Sequence, residues 1–489
     1  MGNFWDSNVW GVVNLVGVLL LSLLVANALK KNIKFLQNSL IPTSVLGGVL
    51  LLAFAGIYDM ITGDVLFETD FFGGNGYNVL ETITYHALAL GFIASTLKSG
   101  GGKLTKQRTV EIFNTGVTTI STYLLQAVVG FGITLVASLV IGGFFGAAGV
   151  LLPFGYGQGT GQALNYGNIY ETEFGFEGGK SFGLTIAALG FLSAAIGGVI
   201  HLAILRRGKG MTHLGEESDQ LDTKQVQKEN EIPWQGSMDK LTVQVAIVAL
   251  CYMLTYFLMM LLGNLLPGMK SVIYGFNFLI GVLAATLVKL VINLLKRARV
   301  VKKEYVNDFL MTRAGNSCFD IMVVAGIAAI RLGVLQKYWG IMIVLGVVGL
   351  VITYAYNYFI AKLLFPNYRE EQFLMMYGML TGTASTGVIL LREIDGEFKT
   401  PAADNMVYQN FPAIVFGFPI MLLATLAPVK PILTLILLAA FFVVMNVILF
   451  RSFIFKGFGK KRKTPNVAPP REAQTASNAK EYAAQSSNP

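Results

Sequence analysis

Long apolar segments alternate with short polar ones along most of the chain. Apolar runs of roughly 20 residues are long enough to cross the hydrocarbon layer of a bilayer as α-helices. Window hydropathy predicts about eleven such spans. They lie near residues 10–29, 40–60, 82–97, 112–141, 181–205, 241–263, 272–295, 308–331, 338–362, 408–427 and 431–455. The pattern therefore predicts an all-α membrane protein.

The composition supports this class. The chain of 489 residues is 54% hydrophobic and 13% charged, whereas soluble domains carry about 25% charged residues. The net charge of +9 could indicate a nucleic-acid partner, but the lysines and arginines lie in loops between spans, as in other membrane proteins. We therefore expect a lipid bilayer and no nucleic acid. Cys251 and Cys318 lie inside apolar segments, which argues against a disulfide framework or a cysteine metal site.

The loop charges also predict an orientation. Loops after spans one, three, five, seven and eleven are rich in lysine and arginine, whereas those after the second and fourth spans carry mainly aspartate and glutamate. Because positively charged loops stay in the cytoplasm, the N-terminus is predicted outside the cell (inner) membrane and the C-terminus in the cytoplasm. Spans one to five and spans six to ten then cross the bilayer in opposite senses.

This layout divides the chain into five parts. Residues 1–205 are predicted to form a five-helix repeat, and residues 241–427 a second repeat of inverted topology. A polar cytoplasmic linker at 206–240 joins them. One extra transmembrane helix is predicted at 428–455. The basic tail at 456–489 has few large apolar residues, which is typical of a disordered segment.

Two stretches rich in glycine, hydroxyl and amide residues lie at equivalent places in the repeats. Pro153–Asn168 has glycine at alternate positions near its centre, which disfavours a continuous helix because each glycine costs about 1 kcal/mol relative to alanine. The second stretch, Thr381–Gly387, is rich in hydroxyls. Non-helical backbone at membrane depth must be buried in protein or line a wet cavity. We predict re-entrant hairpins near 146–168 and 368–393 that enter from opposite sides and meet, as in inverted-repeat transporters.

Candidate ligands follow from these stretches and from polar residues inside the spans. Arginine is included because its guanidinium matches a carboxylate in a bidentate way. The predicted substrate-binding residues are Gln158, Gly159, Thr160, Gly161, Thr381, Thr383, Ser385, Thr386, Arg313 and Arg392. Asn114, Asn316 and Asp320 are candidate cation ligands, since hard cations take oxygen ligands. Helix–helix packing is the alternative for the polar residues of span four, and an internal charge pair is the alternative for Arg313 with Asp320.

Three motifs resemble the bacterial sodium/glutamate symporter family: Ile41-Pro-Thr-Ser-Val-Leu-Gly-Gly48, Gly157-Gln-Gly-Thr-Gly161 and Phe182-Gly-Leu-Thr-Ile-Ala-Ala-Leu-Gly-Phe191. The resemblance covers most of the first repeat and, by layout, spans six to ten. It implies Na⁺-coupled import of acidic amino acids, inverted five-span repeats, a mobile transport domain against a scaffold, and a homodimer. The family typically carries Gly-Gly-His-Gly-Thr in its first loop. Here Gln158 replaces the histidine, which keeps hydrogen bonding but removes a titratable group.

We therefore expect a secondary active transporter in which Na⁺, the coupling ion at Asn114, Asn316 and Asp320, drives entry of glutamate or a similar small carboxylate by alternating access. No organic cofactor is expected. A proton-coupled or exchange carrier for another organic acid is the alternative, with His86 and Asp320 as titrating groups. A channel is a second alternative, although two oppositely oriented re-entrant loops favour a carrier. An enzyme is not expected, because no catalytic motif is visible and the polar segments are short.

Overall fold

The computed structural model describes residues 3–98, 105–209, 226–227, 230–234, 236–396 and 400–454. This part of the chain is helical, with no β-strand and one isolated β-bridge between Glu231 and Glu304. Its α-helices are α1 (Ser7–Asn32), α2 (Lys34–Asn38), α3 (Thr43–Thr62), α4 (Gly76–Leu97), α5 (Lys106–Val140), α6 (Leu151–Phe174), α7 (Gly179–Lys209), α8 (Lys240–Leu265), α9 (Lys270–Gly275), α10 (Asn277–Arg297), α11 (Asp308–Ala328), α12 (Trp339–Leu364), α13 (Arg369–Thr381), α14 (Ala384–Arg392), α15 (Ala402–Tyr408), α16 (Asn410–Leu426), α17 (Pro431–Leu449) and α18 (Arg451–Ile454). The prediction of an all-α protein is confirmed for these residues.

Eight of these helices are long and apolar enough to cross a membrane. They are α1, α3, α5, α7, α8, α10, α12 and α17. The other three predicted spans, 82–97, 308–331 and 408–427, are helical as well, in α4, in α11, and in α15 with α16. Polar and charged residues lower the hydropathy of α4 and α11, and α16 has only 17 residues. The count of about eleven crossings therefore stays a prediction.

The predicted segments map onto the described residues as follows. Residues 210–225 of the predicted linker and the predicted disordered tail at 456–489 lie outside the described residues. The extra C-terminal helix corresponds to α17, followed by α18. By its internal contacts the chain divides into two units, Met1–Asn446 and Val447–Pro489. The features analysed below all belong to the first unit.

Helix α5 carries a run of buried hydroxyls through the first unit. It begins after Thr105, whose side chain caps it by accepting a hydrogen bond from the Arg108 N–H at 3.3 Å. Buried hydroxyls need partners, and the threonines of α5 donate to carbonyls one turn earlier, as Thr118 Oγ1 does to Asn114 O at 2.7 Å. This local pairing lets the hydroxyl-bearing part of α5 be buried where the helix packs against α6, α12 and α16.

A chain of polar side chains ties the start of α5 to the second half of the unit. The Glu111 carboxylate accepts from Arg108 at 2.7 Å and from the Tyr368 hydroxyl at 2.9 Å. Asn405 on α15 donates to Tyr368 at 3.0 Å and to Gln372 on α13 at 3.1 Å. Burial, together with the nearby Glu111 carboxylate, raises the pKa of Tyr368, so its phenol stays protonated and remains a hydrogen-bond donor. These hydrogen bonds hold the N-terminal end of α13 in place.

The residues leading into α8 are held by a buried ion pair. Lys240 Nζ donates to Glu231 Oε2 at 2.8 Å, and the two side chains are 0% and 2% exposed. Asn307 Nδ2 donates to the same oxygen at 2.6 Å, and the Lys240 ammonium lies 4.9 Å from the centre of the Trp234 ring. The end of the linker is therefore anchored against the segment that precedes α11.

Removing one member of this pair should destabilise the protein more than removing both. Lys240→Met leaves the Glu231 carboxylate buried without its cation, which costs about 3–5 kcal/mol in comparable pairs. The double variant Lys240→Met/Glu231→Leu should recover much of the loss. The melting temperature of the detergent-solubilised full-length protein measures both effects.

Lys296→Met is the matched control for this comparison. Its ion pair with Glu304 is 30% and 34% exposed, and exposed pairs contribute only about 0–1 kcal/mol. The melting temperature should therefore change little. A double variant that melts below Lys240→Met would contradict the interpretation.

Candidate functional site at two helix breaks

The first break interrupts α6 at Gly159. This is the only non-helical residue inside α6, with φ of 75° and ψ of −169°. Residues other than glycine occupy that backbone region only with strain. The break divides α6 into arms of residues 151–158 and 160–174.

The second break lies between α13 and α14. Gly382 and Thr383 both have non-helical backbone, with φ/ψ of −142°/−107° and −140°/173°. Thr383 then caps α14 in a reciprocal arrangement with Thr386, whose Oγ1 lies 3.4 Å from the Thr383 nitrogen. The hydroxyl-rich stretch thus supplies both the interruption and the start of the next helix.

The two breaks lie against each other. A Cβ placed on Gly159 would lie 3.2 Å from Thr383 Cγ2 and 3.9 Å from the Gly382 carbonyl oxygen. Glycine is therefore favoured at position 159 both by its backbone angles and by the closeness of Thr383. The two polar stretches meet, as the sequence predicts, whereas their re-entrant topology in a bilayer stays a prediction.

A cavity of about 190 Å³ opens at this junction. It is smaller than the roughly 300–1,000 Å³ pockets of drug-sized ligands, which suits a small solute. Its polar lining comes from α4, α5, the two broken helices and the residue between α15 and α16: Ser95, Thr119, Tyr123, Gln158, Gln162, Thr383, Ser385 and Gln409. The remaining lining is mainly apolar and includes Phe92, Phe319 and Met322. Among the described residues, no charged side chain lines this cavity.

Side chains of α5 pair carbonyl groups at both breaks. A helix end leaves its last carbonyls without intrahelical partners. The Tyr123 hydroxyl donates to Gly157 O at 2.8 Å, before the first break. Gln126 Nε2 donates to Leu380 O at 3.0 Å, before the second break. Both breaks are therefore supported by one helix.

The arms that follow the breaks direct their N-termini toward this junction. The arm 160–174 begins after Gly159, and α14 begins after Thr383. The first N–H groups of a helix lack intrahelical acceptors and carry partial positive charge. Together with hydroxyls and amides, such N–H groups can bind a carboxylate without an arginine.

The predicted substrate residues divide into groups by position. Gln158, Thr383 and Ser385 line the cavity. Thr160 and Gly161 follow the first break and pack on α11, and Thr160 Oγ1 donates to Met322 O at 3.2 Å. The other two predicted hydroxyls, Thr381 and Thr386, are buried and form hydrogen bonds close to the second break. These residues shape the breaks without lining the cavity.

The remaining predicted residues lie outside the cavity lining. Arg313 and Asn316 are exposed on α11, and Arg392 is exposed at the end of α14. Asp320 is half-buried beside Ser44, and Asn114 is half-buried on α5. The predicted roles of these five residues in carboxylate or cation binding stay predictions.

Sequence reasoning did not single out five of the polar residues that line the cavity, namely Ser95, Thr119, Tyr123, Gln162 and Gln409. Gln162 lies in the predicted loop stretch, four residues after Gln158, and its amide in that stretch could have identified it. Thr119 is one of several hydroxyl residues on α5, and the sequence does not show which of them face the cavity; the same holds for Ser95 on α4. Tyr123 and Gln409 carry no local signal, because only the packing of α5 against α6 and α16 brings them to the site.

Substituting Gly159 should impair transport by altering the junction. Gly159→Ala introduces backbone strain of about 1–3 kcal/mol and a Cβ against Thr383, so solute uptake should fall at least about tenfold. Gly175→Ala is the control, because Gly175 also has a positive φ of 69° but nothing lies within 4 Å of an added Cβ. It should lower the melting temperature and leave the apparent affinity unchanged. Equal uptake defects in both variants would contradict a special role for the break.

The sequence of the chain also matches a known protein family. The sodium/glutamate symporter family matches residues 11–372 of the chain. This range includes the first break and ends within α13, before the second break. No match was found among curated proteins or among solved structures. Because the family match covers most of the chain, the protein belongs to the sodium/glutamate symporter family.

Proposed function

We propose that this protein is a Na⁺-coupled symporter that carries glutamate, or a similar small acidic amino acid, by alternating access. Family membership implies sodium/glutamate symport across a membrane. The observation that carries the site assignment is the cavity of about 190 Å³ where two broken helices meet. Broken helices whose ends face a common cavity are the binding sites of many secondary transporters.

The cavity lining suggests how an acidic solute is held. Gln158, Thr383 and Ser385 contribute an amide and two hydroxyls. The N-termini of the arm 160–174 and of α14 provide the positive partial charge for a carboxylate. In this proposal Arg313 and Arg392 do not touch the solute in the state described, because neither lines the cavity.

An unpaired oxygen atom beside the second break is a candidate ligand for a sodium ion. Na⁺ is a hard cation that prefers oxygen ligands. Gln126 Oε1 is buried and has no hydrogen-bond partner among the described residues, while its Nε2 holds Leu380 O and Thr353 Oγ1. We propose Gln126 Oε1 as a Na⁺ ligand in addition to the predicted set of Asn114, Asn316 and Asp320. A bound Na⁺ would supply positive charge that the cavity lining lacks.

The proposed mechanism includes the topology predicted from the loops. The N-terminus lies outside and the C-terminus inside, and the two broken helices enter from opposite sides of the inner membrane. Two inverted repeats then give two related arrangements, one open to each side. A homodimer, in which each transport domain moves against a fixed scaffold, completes the proposal.

One observation favours proton coupling as the second candidate. His201 on α7 is 3% exposed, and its Nε2 lies 2.8 Å from Glu370 Oε2 at the start of α13. Its Nδ1 lies 2.7 Å from the Tyr354 hydroxyl. A buried imidazole paired with a carboxylate is a group that can carry a proton. In contrast, the predicted proton carrier His86 is exposed and contacts the Tyr252 hydroxyl on α8.

Uptake into proteoliposomes distinguishes the two couplings. An inward Na⁺ gradient should accelerate uptake of radiolabelled glutamate at constant pH, because the solute and the ion enter together. An inward proton gradient without Na⁺ should have little effect. Uptake that follows the proton gradient alone would select the second candidate, and uptake indifferent to both gradients would reject coupled transport.

Gln158→Ala should weaken substrate binding without unfolding the protein. Loss of one hydrogen bond of about 0.5–1.5 kcal/mol corresponds to a rise of about three- to tenfold in the apparent KM for uptake. Thr172→Ala is the control on the same helix, because Thr172 is exposed near the far end of α6. Unchanged affinity in Gln158→Ala would remove this side chain from the binding site.

A further inference from the structure

The Gln162 side chain is the most unusual polar group at the junction. It lies in the first turn of the arm 160–174 and lines the cavity. The residue is only 1% exposed. Neither its Nε2 nor its Oε1 has a hydrogen-bond partner among the described residues. A buried amide without hydrogen-bond partners is unfavourable, because it has lost its bonds to water and no protein group replaces them.

Two other polar side chains of the lining, those of Gln409 and Tyr123, are already engaged in hydrogen bonds. Gln409 Oε1 accepts from Thr119 Oγ1 at 3.0 Å. The Tyr123 hydroxyl donates to Gly157 O at 2.8 Å. Gln162 therefore differs from them in offering both a donor and an acceptor to whatever enters the cavity.

The chemistry of an amide limits what can satisfy both atoms. The NH₂ group needs an acceptor and the carbonyl oxygen needs a donor. The zwitterionic end of an amino acid provides both, because its carboxylate and its ammonium are attached to the same α-carbon. A dicarboxylate provides only acceptors and would leave Oε1 unpaired beside another oxygen.

The rest of the lining strengthens this argument. No aspartate or glutamate among the described residues lines the cavity, so an ammonium group there must be met by neutral oxygens. Gln162 Oε1 is such an oxygen, and it is fully desolvated. Sites built to hydrogen-bond a substrate group reject analogues that lack this group, because their own buried polar atoms are then left unpaired.

We propose that Gln162 binds the amino-acid end of the substrate, with Oε1 accepting from the ammonium and Nε2 donating to the carboxylate. Gln162 is then the residue that sets the preference for amino acids over dicarboxylates of the same length. The proposal rests on the proposed function of the cavity as the substrate site.

The test compares glutamate with glutarate, which has the same chain of carbons and two carboxylates but no ammonium. Na⁺-dependent uptake of labelled glutamate by the reconstituted full-length protein is inhibited with each unlabelled compound. For the wild type, glutarate should be at least about 100-fold weaker. In Gln162→Met, glutamate should bind at least about tenfold more weakly, and the ratio between the two inhibitors should fall below about 10.

Two further variants separate this role from a general loss of binding. Gln162→Glu keeps acceptor oxygens for the ammonium and loses the NH₂ donor, so overall affinity should fall while the preference over glutarate is kept. Gln158→Met is the matched amide substitution four residues earlier, on the other side of the break in α6. It should weaken glutamate and glutarate alike and leave their ratio unchanged.

Stability gives an independent readout. Removing a buried, unpaired amide should leave the melting temperature of the ligand-free protein equal or higher in Gln162→Met, whereas a structural role would lower it. An unchanged inhibitor ratio in Gln162→Met, or a lower melting temperature of this variant, would overturn the proposal.

Absence of Na⁺-dependent glutamate uptake in the wild type would instead reject the proposed function. The role of Gln162 is then tested by the shift in melting temperature that a panel of amino acids and their deaminated counterparts induces. Stabilisation by amino acids that is lost in Gln162→Met supports the proposal. Stabilisation by dicarboxylates alone overturns it.

Discussion

Pairing of backbone groups at two interrupted helices is the constraint on which the candidate site depends. An unpaired carbonyl or N–H group is costly in a low-dielectric interior. Helix α5 meets part of this requirement through Tyr123 and Gln126, which reach carbonyls before the first and the second break. Its buried threonines donate their hydroxyls to carbonyls one turn earlier in the helix, so that this polar part of α5 can be buried. Hydrogen bonds from side chains of the neighbouring helix α5 therefore stabilise both breaks.

The close approach of the breaks follows from side-chain size. Gly159 has no Cβ to clash with Thr383, and its backbone angles are those of glycine. The N-termini that then face the cavity hold a fixed orientation, in contrast to a long arginine side chain, which must lose rotamer freedom when it binds. In the proposed binding mode, charge is recognised by preorganised dipoles, which need little rearrangement when a solute arrives.

The sequence was informative about the breaks and less so about the lining. Alternating glycines near Gly159 and hydroxyls near Thr383 predict interruptions, because these residues disfavour a continuous helix and can cap a new one. Which side chains face the cavity depends on the rotation of each packed helix, which the sequence alone does not specify. Thus Arg313 and Arg392, attractive for their charge, are exposed, whereas Gln409 lines the cavity.

The contact between His201 and Glu370 could not be predicted from the sequence for the same reason. His201 and Glu370 are separated by 169 positions in the chain, and neither stands in a recognisable motif. The number of membrane crossings stays a prediction for a different reason. Helices α4 and α11 are continuous, but their polar residues lower their hydropathy. Local patterns thus predicted the helices well, whereas contacts between distant segments required the folded chain.

The lining of neutral groups has a consequence for how acidity acts on this protein. No carboxylate, imidazole or amine among the described residues lines the cavity, so the lining itself has no group whose protonation near neutrality would alter its charge. The start of α13, by contrast, contacts a titratable group, since Glu370 Oε2 lies 2.8 Å from His201 Nε2. Mild acidification therefore leaves the charge of the cavity lining unchanged, and the contact between His201 and Glu370 is a titratable place outside that lining.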